Sequence, residues 1–135
     1  MSSDIAVITA VTEMVEAVNR GDMGAAIAAF SESPLIIEDI PPFRWDGADA
    51  VSGWLSAMGA NAARLKISAI AMSIGEPSRI EVEEGRAYAL FPGRLSMTGG
   101  GADMTADGLL TFTLRAEDCW VIDSLIWSGA QPAPA

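Results

Sequence analysis

Glu38 and Asp39 stand side by side at the end of an apolar run, in the stretch PLIIEDIPPFRWDG from Pro34 to Gly47. A fully buried carboxylate is costly unless it is paired or its pKa shifts. Held at a hydrophobic mouth with a raised pKa, such a group is suited to work as a general base. In an extended strand Leu35, Ile37 and Asp39 share one face, while Ile36, Glu38 and Ile40 share the other. Each face is therefore apolar and ends in one carboxylate. The plainer alternative is a strand-end acid that pairs with Arg44 or caps a turn.

The rest of the chemical inventory is short. The chain has no histidine, which removes Ser-His-Asp and Cys-His arrangements and most zinc sites. Any catalysis must run on carboxylates, Tyr88, Lys66 or arginines. Cys119 is the single cysteine, so no internal disulfide forms. It reads as a small hydrophobe or hairpin residue rather than an activated thiol. Gly99-Gly100-Gly101 has no helix pattern after it and no nearby lysine, so it reads as a hairpin loop rather than a phosphate cradle. Asp103 and Asp107 flank it without calcium-loop spacing, and no metal or cofactor is implied. Glu81, Glu83 and Glu84 with Arg79 and Arg86 read as one exposed sheet face. Trp45, Trp54, Trp120, Trp127 and Tyr88 are each core fillers by type, and some of them would line a cavity.

Stepping out to the whole chain, 135 residues suffice for one domain with a real core. Half the residues are hydrophobic, which excludes disorder. The formal charge is −10, from 18 acidic and 8 basic residues. Such a surface repels phosphate backbones and anionic lipid, so neither nucleic acid nor a membrane surface is expected as a partner. There is no apolar run of about 18 residues. The start carries Asp4 and no basic region, so no secretory signal is read and a cytoplasmic location is expected.

The elements follow from periodicity. Ile8, Val11, Val15 and Val18 predict an amphipathic helix over about 4–19, capped by Ser2 or Ser3 and ended by Asn19-Arg20-Gly21. Asp22 is placed to cap a second helix through Ile27 and Phe30. LIIEDI reads as a strand, and Asp46 or Gly47 opens a third helix carrying Val51, Trp54, Leu55 and Met58. After Arg64 the pattern alternates as strands and hairpins, with TGGGADMTADG as one connecting loop and Pro92 marking an edge or bulge. Residues 130–135, GAQPAPA less its glycine, read as an unpacked flexible tail. Helices first and strands afterwards imply an α+β domain over residues 1–129, with helices on one face of a curved antiparallel sheet and a small-ligand cavity between them.

In order and spacing, EMVEAVNRGDMGAAIAAF, LIIEDI, DGADAVSGWL and LTFTLRAEDCWVIDSLIWSG resemble the nuclear transport factor 2-like superfamily. The branch they resemble most is that of ketosteroid-isomerase and SnoaL-like polyketide-cyclase proteins, and the similarity runs over about residues 4–129. The resemblance implies a cystatin-like, cone-shaped fold that commonly forms homodimers through its sheet. It also implies that Asp39 occupies the catalytic-base position and faces the pocket, with Glu38 outward. The two oxyanion-donor positions of the isomerases fall on Met14 and Leu110, which cannot donate. Losing one such donor typically costs about 2.7–4 kcal/mol of barrier. The expected pocket walls are Phe43, Trp45, Trp54, Tyr88, Met14, Leu110 and Ser124. Two functions follow: a cofactor-free isomerase- or cyclase-type enzyme using Asp39 on an apolar ring substrate, or a non-catalytic ligand-binding or protein-interaction domain of the same fold.

Overall fold

The structure is a computed structural model that describes residues 3–135. Of the two expected caps of the first helix, Ser2 lies outside the described residues. The first helix, α1 (Ser3–Asn19), buries Val7, Val11, Met14, Val15 and Ala17. Ile8 and Val18 flank this stripe and are half-buried. Asn19 does more than end the helix: its side-chain amide donates to Met72 O (2.8 Å) and accepts from Met72 N (2.9 Å), tying α1 to the strand that carries Met72. Gly21 takes a positive φ of 70°, and Asp22 caps α2 (Met23–Ala28) by accepting from Ala25 N at 3.0 Å. Phe30, expected in that helix, instead begins β1 (Phe30–Ile37). Next come β2 (Arg44–Asp46) and α3 (Ala50–Arg64), the latter starting after Asp49 rather than Asp46 or Gly47.

The remaining strands are β3 (Ile67–Ile74), β4 (Arg79–Glu83), β5 (Arg86–Gly99), β6 (Ala102–Ala116), β7 (Trp120–Gly129) and β8 (Ala133–Pro134). All eight join one sheet in the order β2-β1-β7-β6-β5-β3, with β4 also on β5 and β8 on β6. This is the α+β architecture expected, with one parallel pair, β1 on β7, in an otherwise antiparallel sheet. The long strand β5 pairs with β4 through Leu90 and with β3 from Gly93 onward. Pro92 stands at that changeover, where a missing N–H removes no ladder bond toward either partner.

Two expectations about loops are corrected. TGGGADMTADG is mostly strand, because Gly100 and Gly101 (φ 60° and 80°) make a two-residue turn and Gly99 pairs directly with Ala102. Two successive positive φ values are what a tight hairpin turn requires, so the loop needs no more than these two glycines. The tail is not unpacked either: Ala133 and Pro134 pair with Thr105 and Met104, and Ala135 N donates to Asp103 O at 3.0 Å.

The core lies between the helices and the inner sheet face. Phe91, Phe112, Leu110, Leu114, Leu125 and Ile122 rise from the sheet, all essentially without exposure, to meet Met14, Val11 and Trp54. Alternation puts Leu35, Ile37, Tyr88, Leu90, Leu109, Thr111, Thr113, Ser124 and Ile126 on the opposite, outer face.

Candidate functional site

The interior holds one buried carboxylate. Pro34 and Ile36 are buried, and Glu38, two residues on, continues their face at 4% exposure. The strand ends at Ile37, and the chain turns: Glu38 N donates to Phe43 O (3.2 Å) and Phe43 N to Ile40 O (2.7 Å), with Phe43 at a φ of 74°. Asp39 is thereby turned to the exterior and is exposed. The expected orientation is reversed, with Glu38 inward and Asp39 outward. The fully buried Ile36 decides this, because it fixes which set of alternating side chains meets the core.

Glu38 Oε2 accepts a hydrogen bond from the indole Nε1 of Trp54, which is itself fully buried on α3. Trp54 is in turn set edge-on against Phe30, at 6.3 Å between ring centroids and 69° between planes. Loss of water around Glu38 pushes its carboxyl up from the ordinary 4.5 to about 7. The Trp54 hydrogen bond pulls it down, and the neighbouring Asp39 charge adds a smaller upward push. A carboxyl poised near neutrality can both take and return a proton at physiological pH.

Register extends the site along the sheet. Ile36 and Ile37 pair with Leu125 and Ile126 in parallel, and Glu38 follows where this pairing ends. Trp127 pairs with Leu110, and Leu110 with Phe91. Trp127, Leu110 and Phe91 thus form one row across the inner face. The next row is all glycine: Gly93 pairs with Gly108, and Gly108 with Gly129. The Trp127 ring lies over that trough. A Cβ on Gly129 would fall on the indole with Nε1 only 2.6 Å away, whereas one on Gly93 would meet the benzo ring at 3.2 Å. The nitrogen therefore sits on the β1 side of the trough. It is buried, and among the described residues it has no hydrogen-bond partner.

The expected pocket residues divide. Met14, Trp54 and Leu110 all reach the interior, each fully buried. Trp45 is half-buried and packs against the core from β2, next to Gly53, where a Cβ would lie 3.0 Å from its ring. Phe43 is 54% exposed and forms no interior wall. Tyr88 points to the outer face, with the Arg79 guanidinium 5.7 Å from its ring centre. Ser124 is also on the outer face, hydrogen-bonded to Thr113 across 2.5 Å. The last two corrections have one cause: the inward set on β5 is Ala87, Ala89 and Phe91, and on β7 it is Leu125 and Trp127. Glu38 and Trp127 are the interior polar residues that sequence reasoning placed elsewhere or left among the core fillers. Parity alone gives Glu38 and Asp39 equal claims to the interior, and the glycine trough under Trp127 is legible only once three strands are in register.

A recess of about 250 Å³ opens between the end of α1, the start of α2 and α3, lined by Ala17, Val18, Gly21, Met23, Leu55 and Met58. Val18 and Met58 also border a second space of about 30 Å³, lined further by Asn19, Ile70, Ala71, Met72 and Leu95. Asn19, Ile70 and Ala71 are exposed, so this space opens at the surface, with Leu95 on its inner side. Among the described residues no group of three His, Cys, Asp or Glu side chains could hold a metal ion, and no helix is long and apolar enough to cross a membrane.

Known structures share this fold over nearly the whole chain. A hexachlorocyclohexane dehydrochlorinase of type 2 superposes with a TM-score of 0.80 over 98% of this chain and 88% of its own, at 12% identity. The type 3 enzyme from Novosphingobium barchaimii gives 0.76 over 98% and 90%, at 14% identity. A proposed scytalone dehydratase from Novosphingobium aromaticivorans gives 0.78 over 96% and 85%, at 15% identity. The fold is the nuclear transport factor 2-like fold. No protein-family model matches the sequence, and no curated protein is significantly similar to it. At these identities the nuclear transport factor 2-like likeness is one of backbone, and the site must be argued from this chain's own residues.

Proposed function

We propose that this chain is a cofactor-free general acid–base enzyme that moves a proton on an apolar, ring-containing small molecule, with Glu38 rather than Asp39 as the base. The observation that carries the reading is the buried Glu38 carboxyl, held by Trp54 and raised to about 7. Trp54 adjoins it, Met14 and Leu110 are buried in the same core, and the methionine-lined recess is the proposed approach. In the step proposed, the Glu38 carboxylate takes the proton of a C–H bond. The electron pair left behind enters a new double bond, and either a group on the adjacent carbon leaves with its electrons or a neighbouring double bond shifts its pair to another carbon, which takes the proton back from Glu38. The dehydrochlorinases and the dehydratase above are named for eliminations, which also begin with a C–H proton; they support the reading through the fold.

The test is deuterium exchange into a panel of cyclic carbon acids in D2O, followed by NMR. Wild type is expected to accelerate exchange of at least one member, with a rate that rises through about pH 7. Glu38→Gln should abolish the acceleration and Asp39→Asn should keep it. Undiminished exchange in Glu38→Gln would remove Glu38 from the reaction.

One observation favours a second reading, a binder without chemistry: Glu38 and Trp54 line none of the recesses just described. A panel member that binds wild type saturably yet exchanges no faster than in buffer would select it. The homodimer is likewise a proposal, placed on the outer face, where Leu109 is 45% and Tyr88 36% exposed beside Ile126 and Ile37. Ile126→Lys should then convert a dimer to a monomer in analytical ultracentrifugation.

A further inference from the structure

We infer that the groove between α3 and the turn after β1 is a ligand site for a small single-chain carboxylic acid, with the carboxylate on Arg64 and the apolar chain along the helix. The groove encloses about 360 Å³ and is lined by Ile40, Pro41, Ala57, Ala60, Asn61 and Arg64. It is separate from Glu38 and does not depend on the proposed proton transfer. Positions 57, 60, 61 and 64 of α3 share one face by their helical spacing, and the turn sets Ile40 and Pro41 against them. Two alanines, an isoleucine and a proline make an apolar floor, and the polar side chains stand together at the Asn61–Arg64 end. From Ala57 to Arg64 the helix advances about 10 Å, the reach of a medium carbon chain with its head group.

Arg64 gives the groove its sign. Arg20, Arg44, Arg79, Arg86, Arg94 and Arg115 each stand in an ion pair with an aspartate or glutamate. Among the described residues Arg64 has no carboxylate partner, and neither has Lys66 two positions on. The Arg64 guanidinium donates instead to Asn61 Oδ1 at 2.7 Å, which holds it at the end of the groove. Its other N–H groups are uncommitted. A cation in the last turn of α3 is favoured by the helix dipole. That accounts for a positive residue there, but not for its lacking a carboxylate in a chain of 18 acidic and 8 basic residues. A guanidinium fork accepts a carboxylate through two parallel N–H···O bonds. Asp39, the acid next to Ile40 in sequence, is not among the walls. A bare anion would leave the apolar floor uncovered, and a neutral chain would leave Arg64 unpaired, so the two features select a molecule that has both parts.

The probes are octanoate and octanol, equal in chain and different in head group, with acetate as the head group alone. Protein labelled with 15N at arginine is titrated with each, and the arginine Nε–H signals are followed. Octanoate should shift the Arg64 signal saturably and bind about tenfold more tightly than octanol, the advantage expected of a charge-assisted pair. Acetate should bind far more weakly than octanoate. In Arg64→Gln octanoate and octanol should bind alike. Ala60→Phe, a change at an exposed position that fills the groove, should weaken both. An Arg64 signal that octanoate leaves unmoved, through binding at the methionine-lined recess or no binding, overturns the inference. So does a preference for octanoate that survives in Arg64→Gln. Acetate binding as tightly as octanoate would reduce the site to an exposed cation and overturn it as well. Octanoate affinity unchanged in Ala60→Phe would take the chain out of the groove, with the same consequence. The wild-type titrations stand even if a variant does not fold.

Discussion

Trp54, on the third helix, donates its indole N–H to the Glu38 carboxylate at the end of the first strand, and both side chains are buried. That contact joins α3 to the end of β1, and it opposes the burial that raises the Glu38 carboxyl.

Stability should fall as pH rises from about 4.5 to 7. The folded protein holds the Glu38 proton up to about 7, whereas the unfolded chain releases it near 4.5. The contribution is therefore complete below 4.5 and lost by about 7. At about 1.4 kcal/mol per unit, the Glu38 part amounts to about 3 kcal/mol. Glu38→Gln keeps an acceptor for Trp54 and removes the charge. It should flatten this dependence and leave the variant about 2–3 kcal/mol more stable than wild type at pH 8, as read from urea unfolding.

Trp54→Phe should move the Glu38 titration further upward. The hydrogen bond favours the charged carboxylate, and removing it leaves desolvation unopposed. Carbon-13 NMR of the Glu38 carboxyl would read this shift directly, and a downward shift would contradict the assigned contact.

Asp39→Asn should do little. The side chain is exposed, and its charge is the smallest of the three influences on Glu38. The variant is expected within about 0.5 kcal/mol of wild type, with the Glu38 titration displaced slightly downward. Unfolding curves and the same carboxyl resonance check both parts.

Alanine in the glycine row should grade by position. At Gly129 a Cβ would fall on the Trp127 ring, and at Gly108 it would lie 2.5 Å from Ser128 O; at Gly93 the nearest atom is 3.2 Å away. Gly129→Ala and Gly108→Ala should each cost about 1–3 kcal/mol or more, and Gly93→Ala less. Denaturation midpoints in the reverse order would mean that Trp127 does not lie in this trough.

Asn19→Ala removes both hydrogen bonds to the Met72 main chain. A loss of about 1–3 kcal/mol is expected, together with faster hydrogen exchange at Met72 N, which mass spectrometry of the peptide can follow.

How much was legible can be traced residue by residue. Local rules carried the helices: the Val11–Val15 spacing, the Asp22 cap and the positive-φ glycines are short-range signals that tertiary packing did not override. They failed where a choice depended on another strand. Phe30 left its helix because its backbone pairs with Ile122 on the distant seventh strand. TGGGADMTADG looked like a loop because its polar and small residues hide an alternation that only pairing with β5 reveals.

The acidic balance, the absence of histidine and the helices-then-strands order are properties of composition and local pattern, and they already pointed to an α+β domain whose chemistry, if any, runs on carboxylates, Tyr88, Lys66 or arginines. Which carboxylate was not decided there. Alternation tells that Glu38 and Asp39 face opposite ways, and it is symmetric between them. Packing breaks that symmetry: Ile36 is fully buried against the helices, so Glu38 goes in, loses its water and meets Trp54 from a helix 16 positions away in sequence. Burial is a property of what surrounds a side chain, and for Glu38 those surroundings are assembled only when the helix and the sheet close over it.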